Sequence, residues 1–265
     1  MLALSRVLPV SRWAIVIAAL TLGGWLATLM LMAGMEERSV TPLRDFPAFV
    51  VGWVIMLTAM MLPSELTYVG AFAALTRSRN GAQAASLYPT LGFVAGYGVA
   101  WVAYGLVAYG LNAALRAADL EAVLSNRTGP LLAGSVLIAA ALYQVSSLKQ
   151  VCLAHCRTPL AFFARNWREG RFGATVMGVR HGVVCVGCCW ALMAVMFAVG
   201  TMNLTWMALL SLIMFAEKVL PRGERLTIPI SGFLFTMGVW IAVSPETAPL
   251  LKSPLVFGGS ICRGL

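Results

Sequence analysis

About seven apolar runs, each close to the length that crosses a bilayer, divide this chain of 265 residues. A hydrocarbon core of roughly 30 Å needs about 20 apolar residues in helical form. Hydrophobic residues make up 60% of the chain and charged residues 11%, whereas a soluble protein carries about a quarter charged residues. We therefore predict an all-α, polytopic membrane helix bundle of about seven transmembrane helices. The predicted spans are residues 13–35, 49–75, 87–115, 129–147, 182–201, 204–219 and 226–243.

The distribution of basic residues predicts the orientation of this bundle. With the N-terminus inside, 13 of the 19 Lys and Arg residues fall on inside segments and 6 on outside segments. Cytoplasmic loops carry such an excess, so we expect a cytoplasmic N-terminus and an outside C-terminus. The net charge of +9 is then a membrane-protein feature, and we expect no nucleic-acid partner. We interpret the first span as a transmembrane helix that is not cleaved off as a signal peptide. Residues 1–265 are interpreted as a single integral membrane domain.

Both histidines and five of the six cysteines lie between residues 152 and 189. They form two groups, which are Cys152, His155 and Cys156, and then His181, Cys185, Cys188 and Cys189. The predicted orientation places both groups at the cytoplasmic face, joined by one basic loop. Thiols stay reduced in the cytoplasm, so metal ligation is expected rather than structural disulfides. Thiolates and imidazoles are the side chains that bind soft and borderline transition metals.

The second group continues into the membrane as a line of sulfur atoms. At about 100° per residue, Cys185, Cys189 and Met193 fall on one side of the span at residues 182–201, and Cys188 lies about 60° to the other side. Soft thiolate and thioether ligands favour Cu(I) over harder ions. The alternative is that these side chains are ordinary buried hydrophobes that fill helix contacts.

These patterns lead to a hypothesis for the metal site. We predict that Cys185, Cys188 and Cys189 are its primary ligands. His181, or the end of the fourth span with Cys152, His155 and Cys156, would assist, because one helix rarely supplies every ligand. Copper as Cu(I) would accept two or three sulfurs, whereas Zn(II), the alternative ion, would need four ligands in a tetrahedron.

The second span offers a possible counterpart to these sulfurs. Glu65 is the only carboxylate well inside an apolar run, and such groups usually face the protein interior. Pro63 removes a backbone hydrogen bond and should kink the helix there. Met60 could add a thioether ligand. Alternatively, Glu65 is neutral and bonded to a neighbouring Ser or Tyr.

A pair of opposite charges, Glu217 and Lys218, ends the sixth span. Because the two residues are adjacent and lie at the predicted inside interface, just before Pro221, we interpret this end of the span as a structural helix stop.

Together these residues resemble a bacterial family of predicted metal-binding integral membrane proteins of unknown function. The Gly-Cys-Cys-Trp motif at residues 187–190 is its most distinctive element. The other matching stretches are residues 60–63, 149–152, 156–157, 159, 181–193, 202–203, 206–207 and 217–218. The similarity covers about residues 52–225. It implies a multispanning fold with a metal site in a bacterial inner membrane, and it supplies no established reaction.

Three functions are compatible with the sequence. The favoured one is Cu(I) handling, meaning binding, delivery or translocation, through a site near the cytoplasmic face. Its partners would be the lipid bilayer and a metal-donor or metal-acceptor protein. The second is a membrane thiol–disulfide redox enzyme, and the third is a non-catalytic subunit of a larger membrane complex. A haem held by His155 and His181 is less favoured, since both lie at the interface. We predict no catalytic residue.

Overall fold

The computed structural model describes residues 12–37, 46–80, 87–117, 128–170, 172–199 and 204–244, and every regular element in these ranges is a helix. The α-helices are α1 Arg12–Glu37, α2 Phe46–Met60, α3 Leu66–Asn80, α4 Leu87–Ala117, α5 Thr128–Gln144, α6 Ser147–Cys156, α7 Pro159–Asn166, α8 Gly173–Val199, α9 Leu204–Val219 and α10 Thr227–Val243. Two short 3₁₀ turns, Leu62–Glu65 and Gly223–Leu226, precede α3 and α10. The predicted all-α class is confirmed.

Within the described ranges, four stretches are long and apolar enough to cross a membrane, and six if each of two bent pairs counts as one span. The four are Trp13–Leu31, Tyr88–Leu111, Gly173–Ala198 and Gly223–Val243. Helix α9 has 16 residues, or about 24 Å at the helical rise of 1.5 Å, which is shorter than a bilayer core. The count of seven spans, the orientation and the single-domain organisation stay predictions.

The first bent pair breaks at Pro63, and the predicted kink is confirmed. Helices Phe46–Met60 and Leu62–Ser78 meet at an angle of 52°. Because Pro63 has no N–H to continue the helical ladder, the backbone forms the 3₁₀ turn Leu62–Glu65 instead. This turn carries Glu65, whose side chain is buried.

The second bent pair joins α5 to α6 at an angle of 67°. Ser146 adopts an extended conformation, with φ −68° and ψ 149°, and therefore ends the helical run. Its Oγ accepts a hydrogen bond from the Lys149 backbone N–H at 3.2 Å, which is the usual N-cap interaction of a new helix. The bend packs α6 against α8 and brings Cys156, its last residue, into the core.

Helix α8 lies at the centre of the bundle and packs closely on α4. At Gly182, an added Cβ would lie 2.7 Å from the Ala100 Cβ and 2.9 Å from the Tyr97 carbonyl oxygen. Only glycine permits this separation between the two backbones. Small residues at helix contacts are typical of packing between apolar helices.

Two groups of buried side chains make up the interior. The larger surrounds α8 and contains the buried cysteines together with several methionines. The smaller is mostly aromatic, with Tyr68, Phe72, Phe93, Phe162, Phe163 and Met177. On the opposite side of α8, Val183 and Trp190 are exposed.

Candidate metal centre

Three cysteine sulfurs meet between α6 and α8. Cys156 ends α6, while Cys185 and Cys188 are three residues apart on α8 and so lie on neighbouring turns of one face. The three Sγ atoms all lie within 4.8 Å of one another, and all three side chains are buried. Cys156 Sγ is 3.6 Å from Cys188 Sγ. Soft ligands from two helices therefore surround one point, as a metal site requires.

The other predicted cysteine ligands lie at different distances from this cluster. The Sγ of Cys189 is buried and lies 3.2 Å from that of Cys188, at its edge. Cys152 is only half-buried and faces Gly187, where an added Cβ would lie 3.0 Å from its Sγ. Among the described residues, the group of mutually close ligand atoms includes neither Cys152 nor Cys189.

The two histidines lie in different environments. His155 is exposed, and its Nδ1 lies 2.8 Å from the Val151 carbonyl oxygen of its own helix. His181 is buried and contacts Glu65, with Nε2 and Oε2 2.6 Å apart. The ring of His181 stacks on Tyr68, with centroids 3.7 Å apart and planes inclined by 18°. Its Nδ1 has no hydrogen-bond partner within the described part of the chain.

Glu65 links this histidine to the sulfur cluster. Its Oε1 lies 3.8 Å from the Cys185 Sγ, and its side chain is 4% exposed, so the prediction that Glu65 faces the interior is confirmed. Its partners are His181 and Lys218 rather than the neighbouring Ser or Tyr that the alternative interpretation proposed.

Lys218 is the nearest described cation to the cluster. Its Nζ donates to the Cys185 Sγ at 2.9 Å and to the Ser64 Oγ at 3.2 Å, and it lies 3.4 Å from Glu65 Oε1. The Tyr97 hydroxyl is 3.3 Å from the same Sγ. Lys218 therefore places an ammonium group directly beside one of the predicted metal ligands.

Glu217, the preceding residue, has a different partner. It pairs with Lys149, with Nζ and Oε2 2.7 Å apart and both side chains almost fully buried. Gln144 bonds to both members of this pair, accepting from Lys149 at 2.5 Å and donating to Glu217. The interpretation of Glu217 and Lys218 as an opposite-charge pair at an interface does not describe their packing: successive residues point about 100° apart on a helix, and here each side chain is buried with its own partner. The sequence did carry a signal for this burial, because both charges lie on an otherwise apolar helix. Charges that are buried need partners, so separate partners for the two residues could have been expected.

The remaining predicted ligands are methionines. Met60 and Met193 are buried in the same core as the cysteines, together with Met61 and Met196. Their roles as ligands stay predictions.

Buried thiols that converge between helices form the kind of ligand set that soft metal ions prefer. The family is given by comparison with protein-family models: the chain belongs to the copper chaperone family PpoB2, whose model matches residues 50–241. The predicted copper relationship is thereby supported, and the predicted family-like core at about residues 52–225 falls inside this match. The bacterial origin of the family and the diagnostic value of the Gly-Cys-Cys-Trp motif stay predictions. No curated protein and no solved structure matches the chain.

Proposed function

We propose that this protein is an integral membrane copper chaperone that binds one Cu(I) ion between Cys156, Cys185 and Cys188 and passes it to an acceptor protein. The observation that carries the proposal is the convergence of these three buried sulfurs within 4.8 Å. Cu(I) is here the cargo of the protein. The site would lie near the cytoplasmic face of a bacterial inner membrane, in the orientation that the basic residues predict.

The number and type of ligands favour Cu(I) over Zn(II). Three thiols are a suitable set for Cu(I), which is soft and accepts few ligands. A structural Zn(II) site is almost always tetrahedral, with four Cys or His ligands. His181 uses Nε2 to contact Glu65, and neither His181 nor Cys189 belongs to the mutually close group of ligand atoms.

Release of the ion needs a route by which one sulfur replaces another. We propose that Cys189, whose Sγ is 3.2 Å from that of Cys188, takes up the ion when an acceptor ligand displaces Cys156. Only thiolates bind the metal, so loading releases protons from the cysteines that are still thiols. Met60 and Met193, buried in the same core, would extend the sulfur line inward if the ion is translocated rather than delivered at one face.

Copper stoichiometry in cysteine variants tests the ligand set. We expect detergent-purified wild type to bind one Cu(I) per chain, with only sulfur neighbours in X-ray absorption spectra. Cys156→Ser and Cys188→Ser should each lower copper retention against a Cu(I) chelator by at least about tenfold, since each removes a soft ligand.

Cys152→Ser is the matched control, because Cys152 lies one helical turn before Cys156 on α6 but outside the cluster. It should retain copper at the wild-type level. Equal copper loss in Cys152→Ser and Cys156→Ser, with both variants folded, would reject the proposed site.

A second candidate function is thiol–disulfide exchange, and one distance favours it. The Sγ atoms of Cys156 and Cys188 are 3.6 Å apart, so side-chain rotation could bring them to the bonded distance of about 2.05 Å. This function would require a quinone or thiol partner as electron acceptor or donor, and its activity would persist after copper removal. Activity that vanishes with copper, or is never found with these partners, would exclude it.

A further inference from the structure

The side chain of Lys218 places a positive charge beside the sulfur cluster. The Lys218 ammonium group lies 2.9 Å from Cys185 Sγ, and its side chain is 3% exposed. We propose that Lys218 determines which ion charge the site accepts, weakening the binding of divalent ions more than that of monovalent ions. This inference rests on the proposed function, because it concerns selectivity at the same three sulfurs.

The geometry limits how far Lys218 can be from a bound ion. A thiolate holds a metal such as Zn(II) at about 2.3 Å. An ion bound to Cys185 therefore lies within about 5 Å of the Lys218 Nζ. Contacts with Ser64 at 3.2 Å and Glu65 at 3.4 Å hold the ammonium group in place, so it cannot move far away when the ion enters.

Repulsion between Lys218 and the ion grows in proportion to the charge of the ion. At an effective dielectric constant of about 20, two unit charges about 5 Å apart repel by an energy equivalent to on the order of a hundredfold in affinity. A divalent ion meets this penalty twice and a monovalent ion once. Lys218 thus changes the affinity ratio of Zn(II) to Cu(I) by about that factor, in favour of Cu(I).

The other charged groups nearby do not cancel this effect. Glu65 is the one acidic side chain that the described contacts place beside Cys185, at 3.8 Å. It is shared between Lys218 and His181, whose ring contacts it from the other side. Lys218 is therefore the closer of the two charges to the Cys185 Sγ, and Glu65 is present in every Lys218 variant, so it does not alter the expected change in the ratio.

The test compares ion selectivity in variants of Lys218. We expect Lys218→Gln, which is neutral and keeps a hydrogen-bonding group, to raise the affinity ratio of Zn(II) to Cu(I) on the order of a hundredfold. Lys218→Leu is a second neutral variant that avoids burying an unpaired amide. Lys218→Arg keeps the charge and should keep the wild-type ratio. Affinities are measured by competition with chelators of known strength.

The double variant Lys149→Gln/Glu217→Gln is the matched control. It removes the other buried lysine of this region together with its carboxylate partner, both of which contact Gln144 rather than a sulfur atom, and the ratio should stay unchanged. The soft pair Ag(I) and Cd(II) separates ion charge from ion softness: the Cd(II) to Ag(I) ratio should rise in both neutral variants as well.

The outcomes separate this inference from the function on which it rests. Unchanged ratios in a folded neutral variant of Lys218 that still binds copper overturn the role of Lys218 alone. An equal rise in the double variant Lys149→Gln/Glu217→Gln also overturns it, because the effect would then follow from the loss of any buried charge in this region. A wild-type protein that binds no Cu(I) through sulfur would instead overturn the proposed function.

Discussion

Lys149 and Glu217 form an ion pair that the protein buries on every side. Their charged atoms are 2.7 Å apart, and the side chains are 0% and 1% exposed. Gln144 bonds to both members. Removing two charges from a polar environment costs several kcal/mol, which close pairing and further hydrogen bonds offset only while both partners remain. The pair therefore ties α6, which carries Cys156, to the end of α9.

Loss of one member of this pair should destabilise the protein strongly. We expect Lys149→Gln to lower the free energy of unfolding by about 3–5 kcal/mol, because an unpaired carboxylate would remain buried. The double variant Lys149→Gln/Glu217→Gln should recover most of that loss, since neither charge remains. Denaturant unfolding in detergent micelles measures both, and a double variant no more stable than the single one would contradict this explanation.

The residues of the site could be predicted from the sequence only in part. Cys185 and Cys188 follow from their spacing on one long apolar helix, whose phase is easily derived. Cys156 and Cys152 could not be told apart, because both occupy one side of a helix and the bend before it decides which sulfur enters the core. Lys218 was missed because its partners, Glu65 and Cys185, are distant in sequence.

At the scale of the helices, contact between α4 and α8 determines where the cysteines lie. Glycines make this contact close: a Cβ on Gly178 would lie 2.9 Å from the Phe93 carbonyl carbon and 3.0 Å from the Tyr97 nitrogen. A Cβ at these distances from backbone atoms of α4 would force the two helix backbones apart. Tyr97, on the same stretch of α4, contacts Cys185.

A methyl group added at this contact should separate the two helices. We expect Gly178→Ala to lower the free energy of unfolding by about 1–3 kcal/mol through overpacking. Gly98→Ala on α4 is the control, because nothing lies within 4 Å of its added Cβ, and alanine favours a helix over glycine. Thermal unfolding in detergent compares the two, and equal stability in both variants would show that the contact tolerates a side chain.

The two bends differ in how well the sequence predicts them. Pro63 is a chemical signal for a broken helix, and the break follows directly from its missing N–H. The break at Ser146 has no such signal, because serine is common inside and at the ends of helices. Here the hydrogen bond from Lys149 to the Ser146 Oγ and the burial of Lys149 in the fold decide the outcome.

For the whole molecule, the number of spans decides on which side each terminus lies. The described helices give six spans if each bent pair crosses once, and α9 would make the number odd. Its 16 residues are few for a full crossing. The hydropathy of the sequence located these segments, but it could not say whether so short a helix crosses the bilayer or ends within it.

The location of the C-terminus tests this count. The 13-to-6 distribution of Lys and Arg and seven crossings together place the N-terminus inside and the C-terminus outside. A reporter enzyme that is active only after export should therefore be active when fused after Leu265, and a reporter that needs the cytoplasm should be inactive there. With the N-terminus shown inside by a matching N-terminal reporter, the reverse pattern would mean an even number of spans and would reject the assignment of α9 as a crossing.

The two charges on α9 also bear on how the protein is made. On its own, α9 is a poor substrate for membrane insertion, because a charge within a span costs up to roughly 2.5–3.5 kcal/mol. The partners of both charges come earlier in the chain: Glu65 precedes Lys218, and Lys149 precedes Glu217. When the ribosome reaches α9, the groups that neutralise it have already been synthesised, so we expect that insertion of this helix, if it crosses, and the approach of Lys218 to the sulfur cluster would be one late event of biogenesis.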